Sequence, residues 1–192
     1  MQNKNFVPLS TEFSDSSSQF SRPQIALINR DNSCCFSGYR PEKLPWGTDE
    51  ADPRCVLLKD KIAAAAERIH LLGIRHFICG MARGGDMFFC EAVIALREKY
   101  PEISLEAAIP YERQASNWPE DERIRYDSLV GKCDLVTYVS REYTKQCMLR
   151  RNRYMVKNSS ILLAVYDGKS GGTGYTVKHA TQNGLEVVEI AP

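Results

Sequence analysis

The sequence lacks the features that mark membrane, secreted and zinc-scaffolded proteins. Among its 192 residues no apolar run approaches the roughly 20 residues of a membrane-spanning helix, and the first residues lack the basic-then-apolar pattern of a secretory signal. The seven cysteines include no C-x-x-C pair, and most lie in apolar runs, as buried free thiols do. We therefore expect a cytoplasmic protein that has no membrane partner, no metal and no resident cofactor.

An excess of charge of one sign is also missing. Lys and Arg together number 25, Asp and Glu together number 24, and the formal net charge is +1. Proteins that hold nucleic acid without sequence preference rely on many Lys and Arg contacts to phosphate. DNA is therefore a possible partner that the composition does not favour, although a local basic groove remains compatible with it.

The length suits one domain with a sizeable core, and the composition changes once, near residue 32. Residues 1–32 are polar and serine-rich and have no sustained apolar period, which predicts a flexible N-terminal arm. Within this arm the apolar stretch 25–28 either packs on the domain or adds a short strand. The remaining residues, 33–192, form the predicted domain.

Strand-like and helix-like patterns alternate through residues 33–192. Short apolar runs predict strands at 33–37, 74–79, 103–109, 134–139, 161–166 and 185–190. Apolar residues three and four apart predict a helix at 54–72, and an apolar face predicts a second at 87–100. Helices are also predicted at 120–132, at 149–157 and in a segment that ends at residue 182. The alternation predicts an α/β fold, as a single Rossmann-like three-layer domain with a mostly parallel sheet of about six strands.

Two glycine-rich segments follow predicted strands, and ligands of parallel sheets bind beyond the carboxyl ends of the strands. We call residues 80–86, GMARGGD, the first glycine loop and residues 171–174, GGTG, the second glycine loop. Glycine lets backbone N–H groups approach a ligand, and the helix behind such a loop presents its positive dipole end. We expect an anionic ligand, although the first loop matches neither the G-x-G-x-x-G nor the P-loop pattern.

Three side chains of the first loop and of the helix behind it are candidates for ligand contact or chemistry. Arg83 suits a phosphate because a guanidinium binds two oxygens at once; the alternative is an arginine in solvent or in an ion pair with Asp86. Asp86 either caps backbone donors at the helix start or accepts hydrogen bonds from ribose hydroxyls. Asp86 and Glu91 are the candidates for a general acid or base, although solvated helix glutamates are far commoner.

Residues at other strand ends add to these candidates. Thr173, with the N–H groups of Gly171 and Gly172, suits a second phosphate, caps the helix, or does both. Tyr39, Tyr111 and Trp118 are candidates for stacking on a base, and Trp118 alternatively packs against the core.

Five motifs lie at or near the predicted strand ends. They are Ser37-Gly38-Tyr39-Arg40-Pro41; the first glycine loop; Pro110 with Gln114, Trp118 and Tyr126; Arg151-Asn152; and Tyr166-Asp167-Gly168 with Gly171-Gly172-Thr173. On these motifs the chain resembles the SLOG superfamily, the Rossmann-like group that includes the Lonely Guy phosphoribohydrolases and DNA-processing protein A. Within it the chain is most similar to the YpsA-like branch, whose first motif reads T/S-G-[HY]-[RK]-P. The resemblance covers about residues 33–190.

The resemblance implies that a nucleotide or nucleotide-derived ligand is held between the two glycine loops, in a sensor or binding role. The binding residues it implies are Gly38, Arg40, Gly80, Arg83, Gly84, Gly85, Asp86, Gly171, Gly172 and Thr173. In this context Arg151 is either a solvated cation or turned into the site. Relatives with this fold often dimerise, so a homodimer is also implied as possible.

Two alternative functions remain open at this stage. The first is a nucleotide N-glycosidic hydrolase, in the manner of the phosphoribohydrolases, which carry a catalytic glutamate in P-G-G-x-G-T-x-x-E. In this chain no proline precedes the second glycine loop and no carboxylate follows within the next turn, which argues against that activity. The second, less favoured, is a single-stranded DNA binder in the manner of DNA-processing protein A.

Overall fold

Residues 28–192, which this computed structural model describes, form an α/β domain of six strands and five α-helices. The strands are β1 (Ser33–Ser37), β2 (His76–Cys79), β3 (Ser104–Ile109), β4 (Leu135–Tyr138), β5 (Ile161–Val165) and β6 (Glu186–Ile190). The helices are α1 (Pro53–Leu71), α2 (Gly85–Lys99), α3 (Glu120–Gly131), α4 (Cys147–Lys157) and α5 (Gly172–Gln182). Each element overlaps its predicted segment, and the predicted fold class is confirmed.

All six strands belong to one parallel sheet in the order β4-β3-β2-β1-β5-β6. Cys34 of the central strand β1 is in register with Phe77 of β2 and with Ile161 of β5. The chain builds outward from β1 to β4 on one side and then crosses over to add β5 and β6 on the other. Such a reversal leaves a crevice at the carboxyl ends of the two strands where it occurs, here β1 and β5.

Neighbouring residues of the central strands are buried in two different cores. Cys34 and Phe36 of β1 pack with the layer of α1, α2 and α3, whereas Cys35 packs with the layer of α4 and α5. The same division separates Phe77 from Ile78 on β2. Because successive side chains of a strand point to opposite faces, a sheet covered by helices on both sides needs continuous apolar strands. The result is the predicted three-layer arrangement.

Most of the predicted N-terminal arm lies outside the described residues, which begin at Ile28. The last three residues of the arm, Arg30–Asn32, form a 3-10 turn. The Arg30 guanidinium donates to the carbonyl oxygens of Ser159, at 3.1 Å, and Asn183, at 2.6 Å, so this part of the chain is attached to the domain. Between residues 28 and 192 no helix combines the length and apolar character that crossing a membrane requires.

Candidate functional site

A cavity of about 300 Å³ lies beyond the carboxyl end of β1, and we call it the main cavity. Its walls come from the turn after β1, the first glycine loop, α4 and the start of α5. The charged and hydroxyl side chains that line it include Arg40, Lys43, Asp86, Arg151 and Thr173. The topological reversal of the sheet thus brings together residues that lie more than a hundred positions apart in the chain.

The first glycine loop packs against the turn that follows β1. Gly84 and Gly85 are buried, and the Gly85 N–H, the first of α2, donates to the Tyr39 carbonyl oxygen at 3.0 Å. A Cβ on Gly85 would lie 3.1 Å from the Gly38 Cα, and Gly84 has a φ of 76°. These glycines are therefore required by a close approach of two backbone segments, and a donor at the start of α2 is already engaged.

The Asp86 side chain also joins the first glycine loop to the turn after β1. Its Oδ1 accepts from the Gly38 N–H at 3.3 Å and its Oδ2 accepts from the Ala82 N–H at 3.1 Å. The carboxylate is only 4% exposed, and burial raises the pKa of Asp86 above its ordinary value, against the opposing effect of the Arg151 guanidinium. Two roles were predicted for Asp86, and its carboxylate binds backbone donors, as the first of them required. The donors are the N–H groups of Gly38 and Ala82, which precede the helix.

Arg151 of α4 closes the first glycine loop from the opposite side. Its Nη1 lies 3.7 Å from Asp86 Oδ2 and donates to the Gly80 carbonyl oxygen. A Cβ on Gly80 would clash with that nitrogen, so the missing side chain of Gly80 makes room for the guanidinium. Arg151 is 5% exposed, and burial lowers the pKa of Arg151 while Asp86 opposes the change. The predicted alternative of a solvated Arg151 is therefore wrong.

Arg83 points away from the main cavity. Its Nη2 donates to Glu122 Oε1 at 2.6 Å, and its Nη1 lies 3.3 Å from Glu42 Oε1. Arg83 thus forms an ion pair, as one predicted alternative required, but its partners are Glu122 and Glu42 rather than Asp86. It lines a groove of about 410 Å³ on the other side of the loop, together with Glu122 and Arg125.

Glu91 also lies apart from the main cavity, on the flank of α2. Its two carboxylate oxygens accept from Nε and Nη2 of Arg125, both at 2.8 Å, and it lines a separate surface cavity with that arginine. A carboxylate held in a two-point ion pair has little freedom to exchange protons with a ligand elsewhere.

The second glycine loop differs from the first because it is open. Gly171 and Gly172 are exposed, and no side chain caps the start of α5. The backbone N–H groups of Gly172, Thr173 and Gly174 donate no hydrogen bond to any residue in the described part of the chain. The Thr173 hydroxyl, a predicted cap, donates instead to the Gly38 carbonyl oxygen at 3.3 Å. Free donors at a helix start therefore lie at the edge of the main cavity, which Gly172 and Thr173 line.

Two cations lie at the same mouth. Lys43 ends the 3-10 turn Pro41–Lys43; its Nζ lies 3.4 Å from the Ser170 carbonyl oxygen and 5.5 Å from the centre of the Tyr39 ring. Arg40 immediately precedes the same turn, and its Nη2 lies 3.9 Å from the Met148 sulfur. Within residues 28–192 neither cation pairs with a carboxylate. Sequence reasoning missed Lys43, because it lies two residues beyond the motif that ends at Pro41.

The three aromatic candidates are distributed over two places. Tyr39 lines the main cavity, and its hydroxyl donates to the Asp167 carboxylate. Tyr111 and Trp118 line a smaller neighbouring cavity, and the Trp118 ring packs edge-on against Tyr126 at 5.3 Å. Within the described residues no cluster of three His, Cys, Asp or Glu side chains is arranged to hold a metal ion.

A protein-family model decides the relationship of the chain to known proteins. The model of the YspA SLOG family matches residues 34–188, which is most of the chain. The chain belongs to the YspA SLOG family. The family resemblance inferred from the five motifs is therefore confirmed.

Relatives of this YspA SLOG protein are found by sequence and by fold. The SPbeta prophage-derived protein YoqJ of Bacillus subtilis (strain 168) is 29% identical over 147 residues, which cover 70% of this chain and 86% of YoqJ. DNA processing protein A from Streptococcus pneumoniae is similar in fold, with a TM-score of 0.57 and 15% identity over 84% of this chain and 51% of that one. Its Helicobacter pylori counterpart has a TM-score of 0.56 and 13% identity, covering 83% and 65%. The domain thus spans about half of the S. pneumoniae protein.

Proposed function

We propose that this YspA SLOG protein binds a nucleotide or nucleotide-derived small molecule in the main cavity, with a phosphate at the start of α5. The observation that carries the proposal is the set of free N–H groups of Gly172, Thr173 and Gly174 beside two cations that have no carboxylate partner in the described residues. The role we propose is binding, as a sensor or carrier of the ligand, in the cytoplasm.

The electrostatics of the cavity support an anion at this end. The unpaired N–H groups at a helix start act as roughly half a positive charge, and they are aimed outward along the helix axis. Arg40 and Lys43 add two full positive charges. Of the two carboxylates of the lining, the buried Asp86 is balanced by Arg151 and the exposed Glu42 is paired with Arg83. The volume, about 300 Å³, is at the small end of the range in which ligand pockets fall.

Binding is favoured over turnover by the positions of the carboxylates. Asp86 borders the cavity, but both of its oxygens accept hydrogen bonds from backbone N–H groups. Glu91 is engaged by Arg125 outside the cavity. A general acid or base must reach the reacting atom of the ligand within hydrogen-bond distance. N-glycosidic hydrolysis is the alternative function, and Asp86 is its candidate residue because it borders the cavity.

Single-stranded DNA is a second alternative, since it presents the same phosphate chemistry. DNA processing protein A from H. pylori, which shares the fold, has a single-stranded DNA binding mode. The free donors of the present chain converge on one cavity mouth rather than along a groove, and this favours a small ligand over a polymer.

The proposal is tested by isothermal titration of the protein with nucleoside mono- and diphosphates, ribose 5-phosphate and a short oligothymidylate. We expect the phosphate-bearing small molecules to bind and Lys43→Met to weaken them about 5-fold, as loss of one charge-assisted contact does. Lys61→Met, which removes an exposed lysine of α1, is the matched control and is expected to bind as the parent does. Arg83→Ala is also expected to bind ribose 5-phosphate as the parent does, because Arg83 does not line the main cavity.

Three results would contradict or change this assignment. If none of the small phosphates binds while the oligonucleotide does, the DNA alternative replaces it. If Arg83→Ala abolishes binding and Lys43→Met does not, the ligand lies at the first glycine loop instead. Release of free base during the titration, lost in Asp86→Asn, would convert the binding role into hydrolysis.

A further inference from the structure

A second cavity of about 180 Å³ adjoins the main cavity, and we call it the side cavity. The two cavities share four lining residues, which are Arg40, Glu42, Ala82 and Met148. The side cavity has walls of its own in Arg83, Tyr111, Gln114 and Trp118. A ligand with its phosphate at the start of α5 would pass the shared residues and reach the side cavity with its other end.

Of the polar groups that line the side cavity, Arg83 is ion-paired with Glu122, whereas Gln114 lacks a complete set of partners. The residue is 5% exposed, and its Nε2 donates to the Met81 carbonyl oxygen. A carbonyl oxygen can only accept, so the amide nitrogen must face Met81 and the orientation of the side chain is determined. Its Oε1 is buried and accepts no hydrogen bond from any residue between 28 and 192. Buried polar atoms without a partner are rare in folded proteins and mark places where a ligand or water completes the set.

The backbone beneath Gln114 is conformationally unusual. Met81 has a φ of 56°, the single positive value among the non-glycine residues that the structure describes, and it is fully buried. Such a conformation persists only where surrounding contacts hold it, and it clusters at functional sites. The hydrogen bond from Gln114 to Met81 is one of those contacts, and it holds the amide in a fixed position at the wall of the cavity.

The remaining walls suit a flat ring. Tyr111 and Trp118 are half-buried, and each is held by an edge-on contact with another tyrosine, Tyr143 at 5.4 Å and Tyr126 at 5.3 Å. Aromatic walls bind the faces of nucleobases without regard to sequence. A single acceptor of fixed direction adds a preference for a ring that carries an N–H donor at its edge.

We propose that the side cavity holds the base of the nucleotide and that Gln114 Oε1 accepts a hydrogen bond from the exocyclic amino group of a purine. This inference rests on the proposed function, since it places the base of the same ligand whose phosphate lies at α5. It assigns Tyr111 and Trp118 to the base, whereas Tyr39 stays with the phosphate end. Gln114 is then a residue that determines which base is accepted.

The test compares ligands that differ by the amino group alone. AMP is compared with purine riboside 5′-monophosphate, GMP is compared with IMP, and ribose 5-phosphate serves as the ligand without a base. On the unaltered protein we expect the amino form of at least one pair to bind about 5-fold more tightly, which is what one neutral hydrogen bond contributes. We expect Gln114→Met to bind both members of that pair equally and to bind ribose 5-phosphate as the parent does. Gln182→Met, an exposed glutamine at the end of α5, is the matched control and keeps the preference.

The outcomes separate this inference from the proposed function. If ribose 5-phosphate and the nucleotides bind and Lys43→Met weakens them, but neither purine pair is discriminated, the side cavity does not read the amino group. The inference is then overturned while the proposed function stands. If a preference exists but survives in Gln114→Met, another residue reads the base and the inference is also overturned. If no phosphate ligand binds at all, both proposals fail. The affinities of the ligand pairs are compared on the unaltered protein, so this comparison does not depend on how well any variant folds.

Discussion

The two glycine loops of this domain have similar compositions and opposite structures. In the first, Gly84 and Gly85 are buried against the turn after β1, and the Gly85 N–H is bonded to Tyr39. In the second, Gly171 and Gly172 are exposed, and a Cβ on Gly172 would meet no atom within 4 Å. One loop uses the small size of glycine to bring two backbone segments together. The other leaves donors at a helix start accessible.

A glycine-rich strand-to-helix turn therefore does not by itself mark a ligand site. Whether such a turn can bind a ligand depends on whether another part of the chain occupies the space that the missing side chains leave. At the first loop that space is filled by Gly38 and by the Arg151 guanidinium. At Gly171 the neighbour is Lys43, a flexible cation that itself suits an anion.

The largest effect that this comparison predicts is on stability, at the ion pair that closes the first loop. Arg151→Met should leave Asp86 buried without its partner and the Gly80 carbonyl oxygen without its donor. We expect a loss of about 3–5 kcal/mol in the free energy of unfolding, measured by urea titration. The control is Arg150→Met, which removes an exposed arginine from the same helix and should change the free energy by less than about 0.5 kcal/mol. Equal values for the two variants would mean that the first loop is not held by Arg151.

A smaller loss of stability is expected at the glycine with positive φ in the first loop. Gly84 (φ 76°) and Gly184 (φ 74°) have nearly the same φ, but a Cβ on Gly84 would lie 2.9 Å from the Tyr39 carbonyl oxygen, whereas a Cβ on Gly184 meets nothing within 4 Å. Gly184→Ala should therefore cost only the backbone strain, about 1 kcal/mol. Gly84→Ala should cost about 2–3 kcal/mol, since crowding adds to strain. Thermal unfolding of the two variants side by side measures the difference, and a Gly84→Ala protein as stable as Gly184→Ala would show that the first loop is not closely packed.

The smallest change in stability is expected at the second loop, where a substitution should nevertheless weaken ligand binding. Gly172→Asp places a carboxylate at the first residue of α5, where nothing lies within 4 Å and negative charge favours the helix dipole. We expect the free energy of unfolding to stay equal or to rise by about 0.5 kcal/mol. Binding of ribose 5-phosphate should weaken about 10-fold, because the carboxylate repels the phosphate at the mouth of the cavity. Unchanged phosphate binding in a folded Gly172→Asp protein would remove the second loop from the site.

Much of the fold could be predicted from local patterns, and the candidate site only in part. The local patterns of residues 33–192 led to the six strands and the five α-helices, since such patterns depend on neighbours a few positions away, but not to the 3-10 turn Pro41–Lys43. The side-chain roles were harder. Arg83 belongs to a glycine loop at a strand end, as a phosphate ligand would, and pairs instead with Glu122 and Glu42. Lys43 lies outside the motifs and reaches the second loop across more than a hundred residues of chain.

The sequence by itself determined the α/β alternation, the parallel sheet and the position of both glycine loops at strand ends. These follow from periodicity and from the conformations that glycine permits. Only the tertiary structure decided which loop stays open. The order of the strands places the turn after β1 against the first loop, where Tyr39 and Arg151 engage backbone groups and the Gly38 N–H binds the Asp86 side chain. At the second loop Lys43 lies beside Gly171, and the backbone N–H groups of residues 172–174 have no partner in the described chain. A backbone donor is free or engaged according to what lies opposite it, and that depends on contacts between distant parts of the chain.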